Sequence, residues 1–352
     1  MESKIEHIIV GAGLAGLLLA WELYQRGTSF FIYSNEAPAS SSVAAGTWNP
    51  VSFRTMTPTW RAQEMIDRMD VVYHAIDAEL GTSMYGKLKV EKILANDQEK
   101  EFWEEKAKSE RSRDFLEEVT HEVEIKGEKL FAGVVKQTGR LDLPDFVMKL
   151  RAYFKEKGCL IEEDFKYEEL EVKNSFSVYG KLQAQKVIFT EGTYIIDNPW
   201  FSWLPFRPVK GDVLTIKSVD LKVDTIRKKN VFILPIGNDL YKIGATYHWK
   251  NKSWDPSNEA RLEILEKFEK ITDCTYEIID HKSGIRPATH DRRAIIGAHP
   301  TFKNLYVFNG LGSKGVFLGP LLITEFCDSL EGSSEIHPEV SINRCIKKYF
   351  LG

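Results

Sequence analysis

No two of the four cysteines, Cys159, Cys274, Cys327 and Cys345, are spaced as a C-x-x-C pair. That removes the usual sequence frameworks for a zinc site or a disulfide scaffold. Free thiols in a reducing, cytoplasmic setting are the expectation, with no metal site. Basic residues are not in excess: 47 Lys and Arg stand against 51 Asp and Glu, a formal net charge of -4. A chain that grips nucleic acid along its phosphates carries the opposite balance, so nucleic acid is not an expected partner. No apolar run approaches the roughly 20 residues a membrane span requires. The run around Leu17-Leu18-Leu19 near the start is short, preceded by Gly16 and followed soon by Glu22. No charged-then-apolar leader pattern precedes a cleavage site. Internal repeats, low-complexity tracts, a Ser-His-Asp set and clustered metal ligands are all missing as well.

The composition that remains is that of a globular protein, 43% hydrophobic and 28% charged. At 352 residues the chain exceeds the size at which one core usually stops growing, so two domains are expected. The N-terminus is the most informative stretch. Ile5 to Val10 is an apolar, β-branched run suited to a buried parallel strand. The loop Gly11-Ala12-Gly13-Leu14-Ala15-Gly16 follows at once, and Leu14 to Arg26 has the pattern of a helix ending before Gly27. Ser29 to Tyr33 reads as a second strand. Strand, glycine turn, helix and strand within about thirty residues is the context that gives G-x-G-x-x-G its meaning. The first glycine permits the turn, the second lets backbone approach a pyrophosphate, and the third lets helix pack on strand. The helix N-terminus offers N–H groups and a positive dipole end to the anion. An adenine dinucleotide is the implied ligand. The acid that usually holds its ribose falls by register on Ser34, followed by Asn35 and then Glu36.

Farther along, residues 60–80 have helical spacing. Residues 91–129, dense in Glu and Lys, suggest solvated helices with a thin apolar stripe of Phe102, Trp103, Phe115 and Leu116. Leu141 to Lys155 reads as a helix and Lys186 to Phe189 as a buried strand that runs into Thr190, Glu191 and Gly192. Strand-like runs at 212–216, 230–234 and 240–246 suggest an antiparallel sheet, and 257–270 a helix. The last block carries apolar runs at 294–297 and 305–308. The second leads into Asn309-Gly310-Leu311-Gly312-Ser313-Lys314-Gly315 and then an apolar helix beginning near Val316. This is a second helix N-terminus, with a lysine. A flavin uses such a feature, because negative charge grows at one edge of its ring on reduction.

Four separated stretches resemble the D-amino-acid oxidase family of FAD-dependent amine oxidoreductases. They are IIVGAGLAGLLLAWELYQRG, SSSVAAGTWNP at 40–50, VIFTEGTY at 187–194, and GIRPATHDRRAIIGAHP with LYVFNGLGSKGVFLGPLL at 284–322. The likeness is nearest to the glycine oxidase and sarcosine oxidase branch, which includes the oxidoreductase half of a tRNA-uridine-modifying enzyme. It covers most of the chain but not 75–135. It implies an α/β fold: a Rossmann-like FAD-binding domain of the glutathione-reductase type with an inserted α+β substrate domain on a mostly antiparallel sheet. On that layout, residues 1–74, 136–200 and 284–352 form the FAD-binding domain, and 75–135 with 201–283 the substrate domain.

The resemblance also assigns roles. FAD is implied, held noncovalently, since the covalent members use a cysteine near the position of Gly284. Its contacts are expected at Gly11, Gly13, Leu14, Ala15, Gly16, Ser34, Asn35, Ser41, Ser42, Ala44, Ala45, Gly46, Thr190, Glu191, Gly192, Arg286, Gly310, Gly312, Ser313, Lys314, Gly315 and Val316. Arg286 of the G-I-R-P motif is expected to grip a substrate carboxylate, a role its planar fork suits. A second family arginine falls on Ser313, leaving its neighbour Lys314 to face the flavin edge. Tyr247, with His248 and Trp249, sits where the family places pocket walls, sheet packing being the other reading of those rings. Trp48, Arg54 and Trp60 carry a weaker signal. His290 and Asp291 read as a turn. The implied function is oxidation of the C–N bond of a small amine or amino acid by hydride transfer to flavin N5, with oxygen or another electron acceptor. The alternatives are action on a modified tRNA base and flavin binding without turnover.

Overall fold

Ser3–Val10 is an extended strand whose last four residues, His7 to Val10, are buried on both faces. This is the signature of a central parallel strand. The computed structural model describes residues 3–351. In it the chain divides into two compact units, residues 1–42, 143–209 and 285–352, and residues 43–142 with 210–284.

The first unit is built on a mainly parallel sheet. Ser3–Val10 lies between Phe30–Tyr33 and Leu182–Phe189, with Leu160–Ile161 beyond the former and Leu305–Asn309 beyond the latter. All five run the same way, and Ile295–Ala298 adds an antiparallel edge. The short strands Leu170–Val172 and Ser177–Tyr179 pair antiparallel beside the first half of Leu182–Phe189. This order, in which successive strands are laid first to one side and then to the other, is Rossmann-like. The helices Leu14–Gln25, Leu143–Glu156 and Gly315–Leu330 belong to this unit. The first has Leu14, Leu17, Leu18, Leu19, Ala20, Trp21 and Leu23 all buried, so it is covered on nearly every side. Gly27, at φ +70°, follows its end as a left-handed cap. Ile8, Val10, Val187 and Phe189 of the strands form one apolar cluster with Phe201 and Leu204.

The second unit holds an eight-stranded sheet in the order Glu277–Arg286, Val209–Lys217, Leu240–Gly244, Phe232–Gly237, Ile226–Lys228, Val90–Leu94, Glu128–Val135, His121–Ile125. The strands whose register is resolved are antiparallel, apart from the Ile226–Lys228 pairing with Val90–Leu94. Helix Asn258–Glu269, capped by Ser257, buries Ile264 and Phe268 in its core. Helices Ala62–Leu80 and Asp97–Lys108 complete the unit.

Two expectations change. The stretch 91–129 is not chiefly helical: Asp97–Lys108 is a helix, but Val90–Leu94, His121–Ile125 and Glu128–Val135 are strands. Of its apolar stripe, Trp103, Phe115 and Leu116 are buried while Phe102 stays exposed. The unit boundaries fall at 42, 142, 209 and 284 rather than at 74, 135, 200 and 283. Strand pairing explains the shift of 43–74 and 136–142. Thr47–Trp48 and Tyr85–Lys87 both pair with Gly139–Leu141, which ties all three into one small sheet of the second unit. Among the described residues, no helix is long and apolar enough to cross a membrane.

Candidate cofactor and substrate site

The glycine loop lies where the first strand ends. Gly11 N donates to Tyr33 O at 2.8 Å, and Thr190 N donates to Val10 O at 2.8 Å, so the carboxyl ends of three neighbouring strands meet here. Thr190 Oγ1 also donates to Val10 O and Gly11 O, at 2.9 and 2.8 Å. Sterics then dictate the residues. Gly11 has φ +103°, and a Cβ there would sit 3.0 Å from Thr190 O. A Cβ on Gly16 would sit 1.9 Å from Gly11 O, an impossible contact. Gly13 differs: a Cβ there meets only Ser41 Oγ, at an ordinary 3.5 Å. Nothing in the protein requires Gly13 to be glycine, which leaves the space beside it for a ligand. Gly13 is also the N-cap of the first helix and supplies no side-chain cap. The N–H groups of the first turn therefore face outward.

The other glycine-rich turns of the first unit gather at the same edge. Asn309 Nδ2 donates to Gly192 O at 2.9 Å, joining the ends of two parallel strands. Asn309 Oδ1 accepts from Gly310 N at 2.7 Å. Gly315 begins the helix Gly315–Leu330 so close to Leu14 that a Cβ would come within 3.1 Å of its Cδ2. Two helix N-termini thus stand side by side. Lys314, the residue preceding that helix, is half-buried with its Nζ 5.9 Å from the Phe317 ring centre. Burial pushes its ammonium down to about 8. Ser313 beside it is exposed. Ser41 is buried in a single turn, Ser40–Ser42, while Ala44, Ala45 and Gly46 open the second unit. Glu191 contributes backbone beside Gly11. Its carboxylate turns away, accepting from Tyr167 Oη at 2.5 Å and Asn198 Nδ2 at 2.9 Å.

Arg286 is the last residue of the strand Glu277–Arg286, half-buried and followed by Pro287. Tyr247 and Trp249 are 58% and 53% exposed. His248 lies between them with Nε2 3.0 Å from Glu263 Oε2, a structural pairing. Trp48 is buried and stacked on Tyr85, so it fills the second unit's interior. Asp291 accepts from Arg293 N at 3.1 Å and pairs with Arg344, the turn its sequence implies. Sequence reasoning missed Asn309 as the link between two turns, although Asn-Gly is itself a turn signal. It missed Tyr167 and Asn198 as partners of Glu191, which no local pattern reveals.

Residues 6–325 match the model of the DAO family, described as FAD dependent oxidoreductase. The chain belongs to this family. A glycine oxidase of Geobacillus kaustophilus is 24% identical over 382 residues, which covers 99% of both chains. A tRNA 5-methylaminomethyl-2-thiouridine biosynthesis bifunctional protein of Idiomarina loihiensis is 24% identical over 209 residues, 55% of this chain and 34% of that protein. For a glycine oxidase of Pseudomonas aeruginosa the match is 24% over 164 residues, 45% of this chain and 44% of that one. The chain thus aligns with less than half the length of these last two relatives. Among solved structures, glycine oxidase from Geobacillus kaustophilus has a TM-score of 0.80 at 19% identity, covering 95% of this chain and 96% of that one. Iminodiacetate oxidase from Chelativorans sp. BNC1 has a TM-score of 0.76 at 18% identity, covering 98% of each. These likenesses show the common fold.

The family member described here is an FAD-dependent oxidoreductase. Its first unit fits that cofactor. The space left at Gly13 and the uncapped helix start suit a pyrophosphate. The cation at the second helix start suits the electron-rich edge of a flavin.

Proposed function

We propose that this protein oxidises the C–N bond of a small amine or amino acid. Arg286 carries the reading: a half-buried arginine ending a strand, in a family of FAD-dependent oxidoreductases. The full-length similarity to a glycine oxidase supports an amino-acid substrate. When bound, noncovalent FAD would supply a two-electron hydride acceptor at N5, restored by oxygen or another acceptor. The chain's own residues would bind and orient. The backbone of Gly11 to Gly16, with Ser41, Ser42 and Thr190 to Gly192, would hold the pyrophosphate end. Gly310 to Val316, Lys314 among them, would hold the ring end. Arg286 receives a carboxylate on two parallel N–H donors, fixing the amine end of the substrate in one orientation. Because orientation and the cofactor carry the chemistry, no protein base is required. A cytoplasmic location accords with the unpaired cysteines.

The test is anaerobic bleaching of the bound flavin by a panel of small amines and amino acids, in wild type and Arg286→Ala. A carboxylate-bearing substrate is expected to lose about 100-fold or more in kcat/KM in the variant. Amines without a carboxylate should be unaffected. Unchanged turnover of the carboxylate substrate removes Arg286 from this role. Several curated relatives are tRNA-modifying proteins, and the G-L-G-S-K-G loop is the feature that favours a modified tRNA base instead. Tight, salt-sensitive tRNA binding with no bleaching by free amines selects that reading.

A further inference from the structure

The second strand of a dinucleotide-binding unit ordinarily ends in an acid that accepts hydrogen bonds from the adenosine ribose hydroxyls. Here that position is Ser34. It follows Tyr33, whose carbonyl receives Gly11 N, so it stands at the strand ends beside the glycine loop. Its backbone is fixed, Ser34 N donating to Ile161 O at 3.1 Å. Its hydroxyl is not alone. Arg151 Nη1 donates to Ser34 Oγ at 3.1 Å, and Arg151 Nη2 reaches Asn35 O at 3.4 Å. Ser34 Oγ in turn lies 3.3 Å from Asn35 O. Arg151 comes from the helix Leu143–Glu156, the same helix that packs against the Ser40–Ser42 turn.

The guanidinium also pairs with Glu162, whose Oε1 lies 3.6 Å from Nη2, but that carboxylate is shared with Lys155. The Arg151 side chain is 20% exposed, sheltered from bulk water yet reachable. Of the other acids in sequence nearby, Asp164 is bonded by Asn35 Nδ2, and Glu36 is exposed in the following turn. At the strand end itself the polarity is reversed. Where a carboxylate would accept from the two ribose hydroxyls, this corner presents N–H donors and a hydroxyl.

We propose that Arg151 and Ser34 hold the adenosine ribose of the cofactor, the diol accepting hydrogen bonds from the guanidinium instead of donating them to an acid. The consequence is a change in selectivity. A carboxylate at this place repels a phosphate on the 2′ oxygen, whereas an arginine attracts one. The site accordingly prefers adenosine nucleotides phosphorylated at that position. This inference rests on the family's cofactor and not on the substrate assigned to Arg286, so the two readings fail separately.

The test follows FAD release from holoprotein on dilution, read by the rise in flavin fluorescence. Arg151→Gln is expected to raise the FAD dissociation constant about tenfold, and Glu36→Gln to leave it within about twofold. The reverse pattern assigns the ribose to Glu36 and overturns the proposal. A competition on unmutated holoprotein guards against misfolding of the variant. Adenosine carrying phosphates on both the 2′ and 5′ oxygens should displace FAD at roughly tenfold lower concentration than adenosine 5′-monophosphate. Equal potency of the two nucleotides overturns it too.

Discussion

Gly13 and Gly16 are three residues apart in one motif, yet the chain needs them for different reasons. Gly16 is held by the protein itself, because its missing side chain is where Gly11 O passes. Gly13 faces open space apart from Ser41 Oγ. The two positions should therefore separate stability from binding. Gly16→Ala must push the first helix off the sheet, and is expected to lower stability by about 2 kcal/mol or more in chemical unfolding. Gly13→Ala should leave the unfolding free energy of the flavin-free protein within about 0.5 kcal/mol of wild type while weakening FAD binding at least about tenfold. Equal losses of stability at both positions would show that Gly13 too is a packing residue. The sequence made these glycines readable because a glycine that spares a clash leaves its trace at a fixed spacing. It hid Arg151, which meets Ser34 from 117 residues away through tertiary packing alone. Ser34 could be recognised as a missing acid, but what replaced it could not.

At the scale of elements, the helices Leu14–Gln25 and Gly315–Leu330 are clamped at their far ends by Arg26. Its guanidinium bonds Glu22 and Asp328, each at 2.8 Å, and Glu331 at 3.0 Å. Glu22 has a side chain only 10% exposed, so removal of Arg26 leaves a poorly solvated carboxylate without its main partner. Arg26→Ala is expected to cost about 2–3 kcal/mol, measured by denaturant unfolding, and Glu22→Gln in the same background should recover part of it. A loss below about 0.5 kcal/mol would reduce the clamp to a surface pair. Element patterns also explain what was misread. The strand His121–Ile125 alternates half-buried and exposed residues over a charged sequence, a period-two signal carried by only a few apolar side chains. Charge density of this kind resembles a solvated helix until the neighbouring strand Glu128–Val135 supplies the pairing. By contrast, residues 186–189 and 305–308 are mostly apolar and run into glycine turns, which makes them legible without partners, although the polar first half of the strand Leu182–Phe189 is not.

For the whole molecule, the pH dependence of stability carries the mark of Glu191. Burial raises its pKa from 4.5 to about 7, against the lowering effect of Tyr167 and Asn198. The folded state then binds the proton more tightly than the unfolded state does. The group therefore contributes its full stability below about 4.5, and that contribution is lost as pH rises toward and through about 7. The expected decline is about 2 kcal/mol between pH 5 and pH 8. Glu191→Gln keeps the shape without the charge, and its stability curve should lack this decline when both proteins are unfolded across that range. A parallel pair of curves would mean that Glu191 is ionised throughout.

The first unit's sheet draws three adjacent parallel strands from residues 3–10, 182–189 and 305–309. During synthesis this has an unavoidable effect. The glycine loop emerges before Thr190 and waits for it, and the helix behind it waits for Gly315–Leu330. The nucleotide cradle thus closes only once residue 330 has left the ribosome. Truncated products ending before residue 305 should not retain FAD, and the apolar Leu17–Leu23 face remains uncovered until then.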